Sequence, residues 1–174
     1  VNGIGEIAIS GPNVTPGYEG NPEANVKNFF EAEGKRWFRT GDQGAFDDDG
    51  FLYLDGRKKN ILITSFGRNI SPEWPESLLL GSGLFRQAMV IGDGQAQLGA
   101  LLVKAKDDLS DDAIQTAITL INQSLPDYAQ IKHWYSVGEP FTPGNGLATA
   151  NGRLKRDLIK NKFNNQIELL YANT

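Results

Sequence analysis

The sequence predicts an α+β protein in two parts. Residues 1–57 read as a β-rich section, and residues 60–174 as a smaller domain with a short sheet flanked by helices. Three observations carry that expectation. Strand-like runs fill the first 56 residues and are punctuated by Gly and Pro. The character changes at Lys58, after which apolar runs and amphipathic stretches interleave. A hydrophobic content of 40% with three Trp supplies a real core for a chain of 174 residues.

Taken in order, residues 4–10 alternate apolar and polar side chains, the signature of a half-buried strand. Gly11-Pro12 and Pro16-Gly17 mark turns, and residues 22–30 suit a short helix. Asp47-Asp-Asp-Gly50 lies between Ala45-Phe46 and Phe51-Leu-Tyr-Leu54, a hairpin signal with Gly available for a positive φ. Residues 60–64 read as a short buried strand. A helix is expected from Ser71-Pro72 to about Leu80, with Ser71 as N-cap and Pro72 in the first turn. Residues 88–92 and 98–103 suit inner strands of one sheet. Ser110 caps a helix whose Ala113, Ile114, Ala117, Ile118, Ile121 and Leu125 share a face. Residues 131–137 form a further strand, and Leu154, Leu158, Phe163, Ile167 and Leu170 suit one closing amphipathic helix.

Composition excludes several classes. A net charge of -4 argues against a nucleic-acid binder, which would present a basic face. The absence of Cys excludes disulfides, thiolate metal sites and a Cys nucleophile, and fits a reducing, cytoplasmic compartment. No apolar run reaches the ~18 residues of a membrane span. The opening Val1-Asn-Gly-Ile-Gly lacks a basic and an apolar region, and so does not read as a signal peptide. Starting on a strand pattern without Met, the chain reads as a piece of a longer protein.

The chemistry concentrates in three runs: Trp37-Phe-Arg-Thr-Gly-Asp42, Asp55-Gly-Arg-Lys-Lys59, and Ser65-Phe-Gly-Arg-Asn-Ile-Ser-Pro72. A carboxylate after Thr-Gly can accept from both hydroxyls of a ribose. An Arg offers a planar fork to phosphate or ribose oxygens. A Gly-containing loop lets backbone approach a ligand closely. In order and spacing, these runs resemble the adenylate-forming superfamily. Their details are most similar to its long-chain fatty acyl-CoA synthetases, and the resemblance covers nearly the whole chain.

The resemblance implies roles residue by residue. Asp42 would bind the ribose hydroxyls of ATP and of the acyl-adenylate, and Arg57 would contact the nucleotide. Lys59 would be the hinge, so that 1–57 end the large adenylation domain, 58–59 form the hinge and 60–174 form the mobile C-terminal domain. Gly67 would serve the thioester-forming step beside the pantetheine arm of CoA. In the tail, the family pattern Thr-x-Ser-Gly-Lys-x-x-Arg aligns Thr149, Gly152 and Arg156, which puts Arg153 where the family has its catalytic Lys. Either Arg153 or Lys155, two residues on, would carry the charge, or adenylation is weak.

The implied parent is an AMP-forming ligase. It would use ATP with Mg2+, the metal held largely by the phosphates, and pass a fatty acyl group through its adenylate to CoA. Its other partner would be the rest of the large domain, with no nucleic acid and no membrane span, though a lipid substrate is compatible with peripheral membrane association. The chain has no Ser/Thr/Gly-rich phosphate loop, no aromatic-Gly-x-Thr-Glu run and no fatty-acid tunnel, so alone it is expected to be inert. Two alternatives are a fatty acyl-AMP ligase, and a non-catalytic regulatory or interaction domain that kept the fold and lost the Lys.

Plainer readings accompany these. Thr40-Gly-Asp42 could be an ordinary turn, Arg57 to Lys59 a solvated basic run, the Gly67 loop a tight turn between strand and helix, and Arg153, Lys155 and Arg156 the basic start of a helix. Glu73 and Glu76 flank Trp74 and are expected on a helix surface rather than as a catalytic pair. His133, the single His, is expected to pack beside Trp134 rather than to catalyse.

Overall fold

The computed structural model describes residues 3–172. These divide into two compact units, one up to Ile61 and the other from Leu62 onward.

The first unit is a four-stranded antiparallel sheet. Strand β1 (Gly5–Ser10) is followed by helix α1 (Pro22–Asn28), then by β2 (Phe29–Ala32), the long β3 (Lys35–Phe46) and β4 (Leu52–Arg57). β3 is the hub and pairs with all three other strands. Helix α1 starts with Pro in its first turn, and the Asn21 side chain accepts from the Ala24 N–H. It stops at Asn28, two residues short of the sequence expectation. Phe29 and Phe30 belong to β2, opposite Phe38 and Trp37. Phe30 stacks on Trp37 across the strands, the Phe29 and Phe38 rings lie tilted with centroids 5.1 Å apart, and this packing overrides helix continuation. Glu33 and Gly34 both take positive φ (55° and 70°), as a two-residue type I′ connection requires. The expected hairpin at 47–50 closes β3 on β4, its turn held by the Asp47 side chain accepting from the Phe51 N–H.

Residues 60–64 are not one strand. A 3-10 turn (Lys58–Asn60) is followed by the two-residue β5 (Leu62–Ile63), which pairs with β6 (Asn69–Ile70). Helix α2 (Glu73–Gly81) follows, but Ser71 does not cap it through its side chain. Its hydroxyl donates instead to the Glu73 carboxylate at 3.0 Å.

Strands β7 (Phe85–Ile91), β8 (Leu98–Lys104) and β9 (Ile131–Val137) form the main sheet of the second unit, with β8 in the middle. β7 runs antiparallel to β8 and β9 parallel to it. The parallel crossover is helix α3 (Asp111–Asn122), capped by Ser110 as expected. Both sheet faces are covered, which is why β8 is apolar from Leu98 to Val103 rather than alternating. One face packs Ala88, Val90, Ala100 and Leu102 against Leu79 of α2 and Ile114 and Ile118 of α3. The other packs Met89, Leu101 and Val103 against Phe141, Leu147 and Ile159.

The closing helix is two helices, α4 (Arg156–Lys162) and α5 (Asn164–Tyr171), broken at Phe163. The Phe163 ring sits near Tyr135 and Phe141, so the chain bends to bury it. His133 is half-buried, edge-on to the Tyr171 ring and 3.2 Å from Gln97 Oε1. That is the packing role expected of it.

Candidate functional site

In the first unit the structure brings Asp42 and Arg57 together. They are register partners on β3 and β4. Arg57 Nε lies 2.8 Å from Asp42 Oδ1, and its Nη1 donates to the Thr40 carbonyl at 3.2 Å. The Thr-Gly-Asp segment is not a turn between strands but an irregularity inside β3. Thr40, Gly41 and Asp42 together face the single residue Ile7 of β1, because Glu6 pairs with Gln43 and Ala8 with Arg39. Gly41 supplies the left-handed φ of 73° that such a bulge needs. Thr40 stitches it, donating from Oγ1 to the Ile7 carbonyl at 2.8 Å and accepting from the Asp42 N–H at 3.1 Å.

Bulges re-aim side chains, and here the product is a carboxylate with a guanidinium beside it. About a third of each side chain remains exposed (32% for Asp42, 37% for Arg57), so both groups have unused polar capacity toward a ligand. Nearby, Glu6 accepts from Lys58 Nζ at 3.0 Å and lies 3.8 Å from Arg39. Lys58 is thereby committed to the sheet, whereas Lys59, the expected hinge residue, is exposed in the 3-10 turn.

In the second unit, Gly67 lies at the tip of the β5–β6 hairpin rather than between strand and helix. It has φ 72°, and a Cβ there would meet nothing within 4 Å. Its N–H donates to the Thr64 carbonyl, and Phe66 beside it is 77% exposed.

The tail residues fold into a second small hairpin. Ala148 and Leu154 bridge, the Thr149 N–H donates to the Arg153 carbonyl at 2.8 Å, and the Arg153 N–H donates back to Thr149 Oγ1 at 3.0 Å. Gly152 takes φ 81° to close the turn. Arg153 is exposed on this hairpin. Lys155 is also exposed and occupies the cap position of α4, where its N–H donates to the Leu147 carbonyl. The three basic residues are therefore not a uniform helix start.

Arg156 differs from its neighbours, and so does the residue it meets. Contrary to the expectation of a helix-surface carboxylate, Glu76 is buried, only 7% exposed. Its Oε1 accepts from Arg156 Nη1 at 2.8 Å and from the Val90 N–H at 2.7 Å, while Oε2 accepts from Arg156 Nη2 at 2.6 Å. Glu73 is only half-buried, its Oε1 3.7 Å from Arg156 Nη2. Burial pushes the Glu76 carboxyl above its ordinary value, opposed by the Arg156 fork and by the Val90 N–H. Burial also lowers Arg156, but the Glu76 bonds more than offset this and hold the guanidinium charged. The sequence signal was present but faint: Glu76 lies three residues from the buried Leu79, on the apolar side of α2.

Residues 59–174 match the family model described as the AMP-binding enzyme C-terminal domain. The chain is 31% identical to a long-chain-fatty-acid–CoA ligase of Mycobacterium tuberculosis, over 96% of this chain and 31% of that protein. It thus spans about a third of that relative's length. Among solved structures, the adenylation domain of a carboxylate reductase from Mycobacterium chelonae superposes with a TM-score of 0.86 at 28% identity, over 97% of this chain and 28% of that one. The O-succinylbenzoate–CoA synthetase of Bacillus subtilis, solved with ATP and magnesium, superposes with a TM-score of 0.71 at 29% identity, over 91% of this chain and 31% of that one. A bulge-mounted carboxylate–guanidinium pair, a glycine hairpin and a basic tail hairpin therefore stand in a chain that belongs to the adenylate-forming enzymes, with residues 59–174 matching the C-terminal domain of AMP-binding enzymes.

Proposed function

We propose that the chain is the C-terminal portion of an ATP-dependent carboxylate–CoA ligase that activates a long-chain fatty acid through its acyl-adenylate. The observation that carries this reading is the Asp42–Arg57 pair on its β3 bulge. Asp42 retains oxygen capacity for the two ribose hydroxyls, and Arg57 retains donors for a phosphate or ribose oxygen. Lys59 serves as the hinge, which lets the C-terminal domain present first one face and then another to the same substrate site. In the first step the exposed cation of the tail hairpin, Arg153, lies against the carboxylate and α-phosphate as negative charge crowds there. Lys155 is the alternate carrier of that charge. In the second step the hairpin lies along the pantetheine arm as the thiol attacks, with Gly67 the one position of its tip that has no side chain.

Mg2+ would travel with ATP. It would be held largely by the phosphates; among the described residues no group of three or more His, Cys, Asp or Glu could hold a metal ion. No helix among the described residues is long and apolar enough to cross a membrane. The 174 residues alone are expected to be catalytically inert and to bind ATP weakly, because they carry no phosphate loop.

A second reading transfers the acyl group to an acceptor other than CoA. It draws on the TM-score of 0.86 with a carboxylate reductase adenylation domain, against 0.71 with a CoA synthetase. One experiment tests both readings. The full-length protein is assayed with a panel of fatty acids for ATP–pyrophosphate exchange and for CoA thioester formation, as wild type, Arg153→Ala and Lys155→Ala. Exchange with thioester supports the ligase, and exchange without thioester supports another acceptor. No exchange with any acid leaves a domain that kept the scaffold without the chemistry.

A further inference from the structure

One buried charged group has no part in the steps above. Glu76 and Arg156 are 80 residues apart in sequence, yet a two-point fork joins them inside the second unit. Stability alone does not account for such a pair. An apolar pair of similar volume is often as stable or more so, since it avoids desolvating two charges. What a bidentate fork supplies is orientation, because two parallel hydrogen bonds fix both the position and the rotation of the guanidinium.

The surroundings extend that constraint. The carboxylate also accepts from the Val90 N–H, on the sheet's edge strand β7, so it is tied to the sheet and not only to α2. On the other side, Arg156 is the first residue of α4 and directly follows the tail hairpin. The base of that hairpin is anchored by buried Leu147 and Ala148 (5% and 2% exposed) and by the Lys155 N–H to the Leu147 carbonyl at 2.9 Å. Arg153 stands three residues before the fork, on the exposed part.

We propose that Glu76 is a positioning residue for adenylation: through Arg156 it clamps the base of the 148–154 hairpin to β7 and so fixes where Arg153 points. The inference rests on the proposed adenylating function and assigns Glu76 no contact with substrate. Misplacing a charged group by about 1 Å can cost ~100-fold in rate without loss of fold. Glu76 should therefore matter for the step that uses the hairpin and not for the step that uses the Gly67 loop.

The test uses the full-length enzyme and two variants. The double variant Glu76→Gln/Arg156→Met keeps an oxygen for the Val90 N–H and removes both charges of the fork; Glu73, 3.7 Å from Arg156, loses that cation but stays partly open to water, so the fold is expected to be retained. Arg156→Lys keeps the charge and loses the fork. ATP–pyrophosphate exchange reports adenylation, thioester formation from supplied acyl-adenylate reports the second step, and thermal unfolding reports the fold. Both variants are expected to lose about 30- to 100-fold in the kcat of exchange, with KM for ATP and the second step each within about threefold of wild type. Trypsin cleavage after Arg153 should also be faster in the double variant. If exchange recovers wherever stability is kept, or if both half-reactions fall together, Glu76 is structural only and the proposal fails. An unchanged cleavage rate overturns the clamp even in an active enzyme. Wild type without exchange for any acid sinks the adenylation reading, and this role with it, whatever trypsin reports.

Discussion

Two carboxylate–guanidinium pairs of the same chemistry sit in the two units, in opposite environments. Asp42–Arg57 joins neighbouring strands, and its side chains are 32% and 37% exposed. Glu76–Arg156 joins elements 80 residues apart, and its side chains are 9% and 16% exposed. An exposed pair exchanges partners readily, because water and ligand compete with each bond. A buried pair, once assembled, is shielded from water, with only the half-buried Glu73 as a second carboxylate near Arg156, and losing either partner strands a charge in low dielectric. Bond geometry alone does not separate the proposed binding pair from the buried one. Access to solvent decides.

The largest effect should come from breaking the buried pair on one side. Glu76→Ala leaves Arg156 charged and the Val90 N–H without its acceptor, and should cost about 3–5 kcal/mol in chemical denaturation. Asp42→Ala, by comparison, should cost no more than about 1 kcal/mol. Equal losses would erase the distinction between the pairs.

Next in size is the loss at Arg153. Its side chain lies on the exposed hairpin, so Arg153→Ala should leave the denaturation midpoint unchanged while exchange by the full-length enzyme drops by roughly 100-fold. Arg153→Lys keeps the charge and should stay within about tenfold of wild type. A strong loss with Lys155→Ala instead would move the catalytic charge two residues along the chain.

A half-buried group, Tyr171, sharpens the contrast through pH. The Tyr171 hydroxyl donates to the Ile91 carbonyl at 3.3 Å, and burial pushes its pKa up to about 12, only partly opposed by a hydrogen bond to the Gly99 backbone. The folded-state value lies above that of the unfolded chain. The stabilising contribution is therefore complete below pH ~10 and disappears as pH rises through about 12. Wild type should lose stability across that window more steeply than Tyr171→Phe, by on the order of 1–2 kcal/mol after solvent screening of a partly exposed ring. Parallel curves would show that the phenol is not protected by the fold.

Local pattern made much of the fold legible in the sequence. β9 covers residues 131–137 as expected, and Ser110 caps α3. The β8 run reads as buried because it has no polar alternation. β2 was hidden because Phe29 and Phe30 suit a helix end equally well until Phe38 and Trp37 are known to lie opposite. At the candidate site, Asp42 and Arg57 were legible as residue types at a spacing. The bulge that brings them to 2.8 Å depends on β1 skipping a register at Ile7, which no local pattern shows. Glu76 was misread as surface because its partner lies 80 residues away, beyond the reach of any i, i+3 or i, i+4 argument.

The central claim is that the exposed pair binds nucleotide while the buried pair holds a shape. Titrating AMP into the full-length protein by calorimetry, with wild type, Asp42→Asn and Glu76→Gln compared and each variant's denaturation midpoint recorded, tests it most directly. The account predicts crossed losses. Asp42→Asn keeps its midpoint and loses about 10- to 100-fold in affinity, the worth of one or two charge-assisted hydrogen bonds. Glu76→Gln keeps its affinity and loses stability. AMP binding unchanged in Asp42→Asn, or lost in Glu76→Gln at a preserved midpoint, would contradict it.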